Sequence, residues 1–190
     1  MFPNKVTTIF YSPTQTSRKV AEAIASGINA DEMRSIDLTL DESENPIEIE
    51  NSIVVIAVPV YSGRVAATAL ERLHRLKGKN SPAILAVVYG NRDYDDALVE
   101  LYDEVVKLGF TPLSAGAFIG EHSFSRDGMP IGEGRPDTND ILCARKFGAD
   151  SLEKLHNVEI PTKLSIKGNR PYLIPDALPP MACLLYTSDA

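Results

Sequence analysis

Four hydroxyl side chains crowd one short stretch of the chain, Ser12-Pro13-Thr14-Gln15-Thr16-Ser17. The apolar run from Val6 to Tyr11 leads into it, and Val20, Ala21, Ile24, Ala25 and Ile28 follow at helical spacing. That order reads as strand, tight loop and helix. Hydroxyls at a helix start, beside backbone N–H groups without intrahelical acceptors and the positive end of the helix dipole, suit an anion such as phosphate. The same residues also suit an ordinary N-cap, in which a Ser or Thr oxygen accepts a first-turn N–H. The loop alone does not choose between the two.

Two more polar breaks follow apolar runs. Pro59-Val60-Tyr61-Ser62-Gly63-Arg64 interrupts the stretch after Ser52–Val58, and Gly90-Asn91-Arg92-Asp93-Tyr94 follows Pro82–Tyr89. Each combines turn formers with an aromatic ring. Arg92 either approaches a ligand or pairs with Asp93, Asp95 or Asp96; Tyr61 either covers a ligand or the edge of the core. His122 and Ser123 follow a fifth apolar run and either reach the same place or serve structure. No Ser-His-Asp set, metal-ligand spacing or paired carboxylates stand out. Cys143 and Cys183 make neither a disulfide framework nor a metal site, and Cys143, beside Ile141, Leu142 and Ala144, reads as a small core residue.

Elements that would position these loops alternate along the chain. Strands are expected at Lys5–Tyr11, Glu32–Leu38, Ser52–Val58, Pro82–Tyr89 and Pro112–Ile119. Helices are expected at Ser17–Asn29, Ala66–Leu76, Asp95–Leu108 and Asp137–His156, and the acidic stretch Asp41–Glu50 reads as a loop. Continuous apolar strands alternating with helices imply an α/β fold with a parallel sheet covered on both faces. In the strand order 2-1-3-4-5 the three unusual loops converge on one crevice beyond the strand ends.

At 190 residues, 44% hydrophobic and 24% charged, the chain has the length and composition of one globular domain. The formal net charge of −7 argues against nucleic-acid binding, which needs a basic patch. No apolar run reaches the roughly 18 residues of a membrane span, and no leader is visible, so the expected location is cytoplasmic.

The ordered set of loops resembles the flavodoxin family. Ser12 to Ser17 is similar to its phosphate motif, Ser/Thr-x-Thr-x-x-Ser/Thr, with Gln15 where flavodoxins usually carry Gly. The resemblance implies a flavodoxin-like three-layer sandwich with a five-stranded parallel sheet over residues 1–157. It implies FMN as the cofactor and electron transfer as the function. Ser12, Thr14, Gln15, Thr16 and Ser17 would hold the phosphate. Pro59, Val60, Tyr61, Ser62 and Gly63, with Tyr89, Gly90, Asn91, Arg92 and Tyr94, would surround the ring. Tyr94 either stacks on it or caps a helix start. Asp93, Asp95, Asp96 and Glu121 near the ring would lower its potential by disfavouring added negative charge.

Val88–Ala97 and Gly116–Ser123 further resemble the flavodoxin half of flavodoxin–ferredoxin fusions. In that family a linker similar to Ile166-Lys167-Gly168-Asn169-Arg170-Pro171-Tyr172 leads to a domain with [4Fe-4S] clusters. The implied partner is a redox protein or such a C-terminal domain, with residues 158–182 as the linker towards it. This chain has no cysteine pattern for a cluster. Cys183–Ala190 resembles translated sequencing-adapter read-through, which would make 183–190 a non-native tail on a truncated chain. Two other readings stay open: an FMN-dependent NAD(P)H quinone or nitro-group reductase, and a flavin-free binding or signalling module. A phospho-receiver version of the last would need an Asp where Pro59 stands.

Overall fold

The longest apolar runs become strands buried on both faces. In the computed structural model, which describes residues 4–79, 81–157 and 163–174, β1 (Lys5–Phe10), β4 (Ile53–Tyr61) and β7 (Pro82–Tyr89) lie side by side. β2 (Glu32–Asp37) and β8 (Thr111–Ile119) form the two edges, giving the order β2-β1-β4-β7-β8 with every neighbouring pair parallel. These are the five expected strands in the expected 2-1-3-4-5 order. Alternating side chains divide the core in two. Ile9, Ile56, Val58 and Leu85 pack with α2 (Ala67–Leu73) and α3 (Ala97–Lys107) on one face. Phe10, Val55, Ile84 and Val88 pack with α1 (Thr16–Ile28) and α4 (Thr138–Asn157) on the other.

Three sequence readings need correction. The stretch read as an acidic loop contains β3 (Ile47–Glu50), which pairs in parallel with β6 (Leu76–Lys79) in a separate two-stranded sheet. The alternation Ile47-Glu48-Ile49-Glu50 is a strand pattern; Ile49 is buried, and the exposed Glu48 pairs with Lys79. The helix read through Leu76 ends at Leu73, because Leu76 joins β6. β4 continues past Val58 to Tyr61 and turns back into β5 (Arg64–Val65). Ser62 and Gly63 both have positive φ, 50° and 76°, as a two-residue hairpin of this twist requires. In addition, Cys143 is exposed on α4 and is not part of the core.

Residues 163–174 return across α3. Asp103 on α3 takes hydrogen bonds from Arg170 and Tyr172, and Asp93 pairs with Lys167 at 2.9 Å. The Arg170 guanidinium holds the Asp103 carboxyl below the usual range against a smaller opposing effect of burial. Burial pushes Asp96 up, but N–H groups of Leu173 and Asn169 outweigh it and leave its carboxyl lowered too. Both groups have a folded pKa below the unfolded value. Their contribution is therefore full above about pH 4 and is lost as pH falls through the depressed values. The expected result is acid release of 163–174 below about pH 4, seen as a loss of amide protection there, each rate being taken relative to the intrinsic exchange rate at that pH. Unchanged protection from pH 6 to pH 3 would contradict it. The Cys183–Ala190 reading falls outside the described residues.

Candidate functional site

A cleft of about 280 Å³ opens where β1, β4, β7 and β8 end. Its first wall is the loop Ser12, Pro13, Thr14, Thr16 and Ser17; its second is Pro59, Val60, Tyr61 and Ser62 at the end of β4. Val88, Tyr89 and Gly90 form the third, and Gly120–Phe124 after β8 the fourth. The parallel register sets these walls together, since strands of one direction deliver their following loops to one edge.

The first wall answers the question the loop left open. Ser12 is buried, and its Oγ accepts the Arg18 N–H at 3.0 Å, so this hydroxyl does cap the helix. Thr14 and Thr16 hydroxyls lie 3.1 Å apart, and Ser17 also faces the cleft. Among the described residues, the backbone N–H groups of Thr14, Thr16 and Ser17 donate to no protein acceptor. The first turn of α1 carries no acidic residue to occupy them. Hydroxyls and vacant N–H donors at a helix start thus face the cleft together, the arrangement an anion needs.

Gln15 precedes α1 in the left-handed region, φ 62° and ψ 3°. The backbone therefore follows a path that favours glycine, and a glutamine adopts it with Nε2 donating to the Ser12 carbonyl at 3.2 Å. Gln15→Gly is expected to change stability by less than about 1 kcal/mol, while the β-branched Gln15→Val costs about 1–2 kcal/mol. Urea unfolding of both variants checks this. Equal stability of the two would mean the loop does not hold this conformation in solution.

Not every expected residue reaches the cleft. Gln15, Gly63, Asn91, Arg92 and Tyr94 do not line it. Arg92 is exposed and pairs with Asp95. Tyr94 meets Tyr89 edge-on at 5.6 Å, lies under Lys167 and lines a separate hollow with Leu98 and Phe147. The expected carboxylates are mostly engaged by partners beside the cleft, with Asp95 packed against Gly63 of the Ser62-Gly63 turn. Asp93 is paired with Lys167, Asp95 with Arg92, and Asp96 is held by 163–174; of the four only Glu121 lines the cleft.

The fourth wall brings His122, Ser123 and Phe124 to the cleft. His122 Nδ1 accepts the Phe124 N–H at 3.0 Å, so a neutral ring carries its proton on Nε2. Phe124 and Tyr61 both line the cleft and are half-exposed. The signal available was position: a polar segment directly after a fifth parallel strand must emerge at the same edge as the other three.

Compared by sequence, the chain matches no protein-family model and no curated protein. Compared by structure, it matches a mutant flavodoxin of Fusobacterium nucleatum bound to flavin mononucleotide, at 17% identity and TM-score 0.51, over 80% of this chain and 95% of that one. The fold is flavodoxin-like. The flavodiiron core of Synechocystis contains the same arrangement, at 16% identity and TM-score 0.55, over 82% of this chain and 36% of that one. An NADH:FMN oxidoreductase in its apo form matches at 14% identity and TM-score 0.53, over 84% and 91%. Among the described residues no helix of this flavodoxin-like chain is long and apolar enough to cross a membrane.

Proposed function

We propose that the chain is an FMN-binding electron-transfer domain. The observation that carries this reading is the first wall of the cleft. Vacant N–H groups and the hydroxyls of Thr14, Thr16 and Ser17 stand at the start of α1, and the Tyr61-Ser62 hairpin lines the same cleft. One end suits a phosphate dianion and the other a flat ring. The cleft volume, about 280 Å³, is near the low end for ligand pockets, as suits a ring left partly open at its edge. The bound flavodoxin among the structural neighbours carries flavin mononucleotide.

FMN supplies reversible one- and two-electron chemistry when bound; the chain supplies affinity, orientation and field. Thr14, Thr16 and Ser17 would hold the phosphate, while Ser12 keeps α1 capped. Pro59, Val60, Tyr61 and Ser62 would cover one side of the ring, with Tyr89, Gly90 and His122 near its edge. Gln15, Gly63, Asn91, Arg92 and Tyr94 would act by shaping the loops. The partner would be a redox protein or, in the intact family protein, a C-terminal [4Fe-4S] domain reached through 158–182. The resemblance of Ile166–Tyr172 to that family's linker supports this finer reading.

Protein expressed in a flavin-replete host is expected to release FMN on acid treatment, close to one per chain. Release of FAD or riboflavin alone would contradict the assignment. A reductase is the second reading, favoured by the exposure of the cleft-lining rings of Tyr61 and Phe124, at 53% and 50%. Steady-state NADH or NADPH oxidation by the loaded protein without a protein partner would support the reductase; its absence supports the carrier.

A further inference from the structure

Segment 163–174 lines no part of the cleft, yet it is tied to the hairpin that does. Asp96, buried to 1% exposure, accepts three hydrogen bonds from it: Asn169 N at 2.7 Å, Asn169 Nδ2 at 3.1 Å and Leu173 N at 2.6 Å. The Asp96 N–H in turn donates to the Gly63 carbonyl at 3.0 Å. Gly63 is the second residue of the turn that presents Tyr61 and Ser62 to the cleft.

A second tie runs beside the first. Arg64 Nη1 donates to the Leu173 carbonyl at 2.7 Å, and the guanidinium lies 4.8 Å from the centre of the Tyr172 ring. The same guanidinium pairs with the buried Glu100, whose Oε2 also accepts the Val65 N–H at 2.9 Å. Arg64 and Val65, which follow the Ser62-Gly63 bend, are thus both anchored to Glu100 on α3, and the returning segment also holds the Arg64 guanidinium.

We propose that residues 163–174 are a clasp that fixes the Tyr61–Arg64 turn in its ligand-binding position, with Asp96 as the positioning residue between them. The clasp serves the ring end of the cleft and not the phosphate end, because none of its hydrogen bonds touches loop 12–17. What the ring belongs to rests on the FMN reading; the clasp itself does not. The buried carboxylate explains the arrangement physically. A charge taken out of water must have its lone pairs filled, and on Asp96 the returning chain fills them. When the segment lifts away, Asp96 is left facing water and its hold on Gly63 slackens.

The test uses the full chain. One variant, N169A/R170A/Y172A, removes the clasp's side-chain bonds to Asp96 and Asp103 and the ring over Arg64, leaving the two backbone bonds to Asp96; Asn169 and Arg170 are exposed, so the sheet is undisturbed. A second, Asp96→Asn, keeps the shape and removes the charge. In the flavin-free protein, amide exchange at residues 61–65 is expected to speed up about tenfold in both variants, with loop 12–17 unchanged. FMN and riboflavin Kd values should then rise together by about five- to tenfold, their ratio constant. Unchanged exchange at 61–65 in folded variants overturns the clasp. So does faster exchange with unchanged affinity for both flavins, which would leave the segment a stability element only. If the unaltered chain binds neither flavin, the FMN reading fails, and the exchange result alone decides the clasp.

Discussion

Replacing Thr14, Thr16 and Ser17 together by Ala is expected to weaken FMN binding a hundredfold or more and riboflavin binding less than about threefold. A hydrogen bond to a charged acceptor contributes about 1.5–3 kcal/mol, and each 1.4 kcal/mol is tenfold in affinity. Three such bonds sum to about 4.5–9 kcal/mol; because the vacant N–H groups remain and take up part of the load, a loss of about 3 kcal/mol or more on the phosphate is expected. Ser12 is left out because its Oγ already accepts the Arg18 N–H; removing it would cost about 1 kcal/mol of helix capping and blur the result. Fluorescence titration with both flavins measures the difference. Equal losses would place the phosphate elsewhere.

The second large effect concerns what holds that loop in place. α1 and α4 touch through glycines: a Cβ on Gly148 would land on the Ile24 carbonyl oxygen, and one on Gly27 on the Arg145 carbonyl oxygen. Both obstacles are backbone inside helices, so no rotamer change relieves them. Gly148→Val is expected to destabilise the protein by about 3 kcal/mol, the upper part of the range for overpacking, and to lower Tm by roughly 6–12 °C. Because α1 begins at the phosphate loop, the same variant should also weaken FMN more than riboflavin. Thermal unfolding followed by circular dichroism checks the first expectation; a Tm within 2 °C of the unaltered protein would show that the helices can separate freely.

Much of the architecture was legible because its signals are strong. Ile53 to Val58 and Pro82 to Tyr89 are apolar at every position, and only a strand covered on both faces uses such a run at that length. From two such strands and the helical spacing of Val20, Ala21, Ile24 and Ile28, the layered sheet and its order follow. What escaped was local. Ile47 and Ile49 carry a four-residue alternation among acidic neighbours, too short to outweigh the surrounding polarity. The hairpin at Ser62-Gly63 looked like a loop because Pro59 breaks the apolar run, although β4 carries the chain to Tyr61 regardless.

The site divides in the same way. Hydroxyl loop, Tyr61, Ser62, Tyr89 and Gly90 meet at the cleft as the converging-loop argument requires. Arg92 and Tyr94 do not, because side-chain partners pull them elsewhere: Asp95 takes the arginine, and Tyr89 with Lys167 takes the tyrosine. One of those partners, Lys167, lies 73 residues further along the chain than Tyr94. Spacing within a loop holds no information about a segment that returns from so far away. Gln15 is the reverse case. It looked like the weak point of the motif, and it adopts the left-handed conformation that the loop requires.

The central claim is that loop 12–17 and the facing hairpin hold FMN. The most direct measurement is titration of the flavin-free protein with FMN, following quenching of flavin fluorescence and the visible spectrum. The account predicts saturable one-to-one binding, tighter for FMN than for riboflavin, with a shifted visible band from the ring against Tyr61. A folded protein that shows no saturable binding of FMN, or binds both flavins equally, would contradict it.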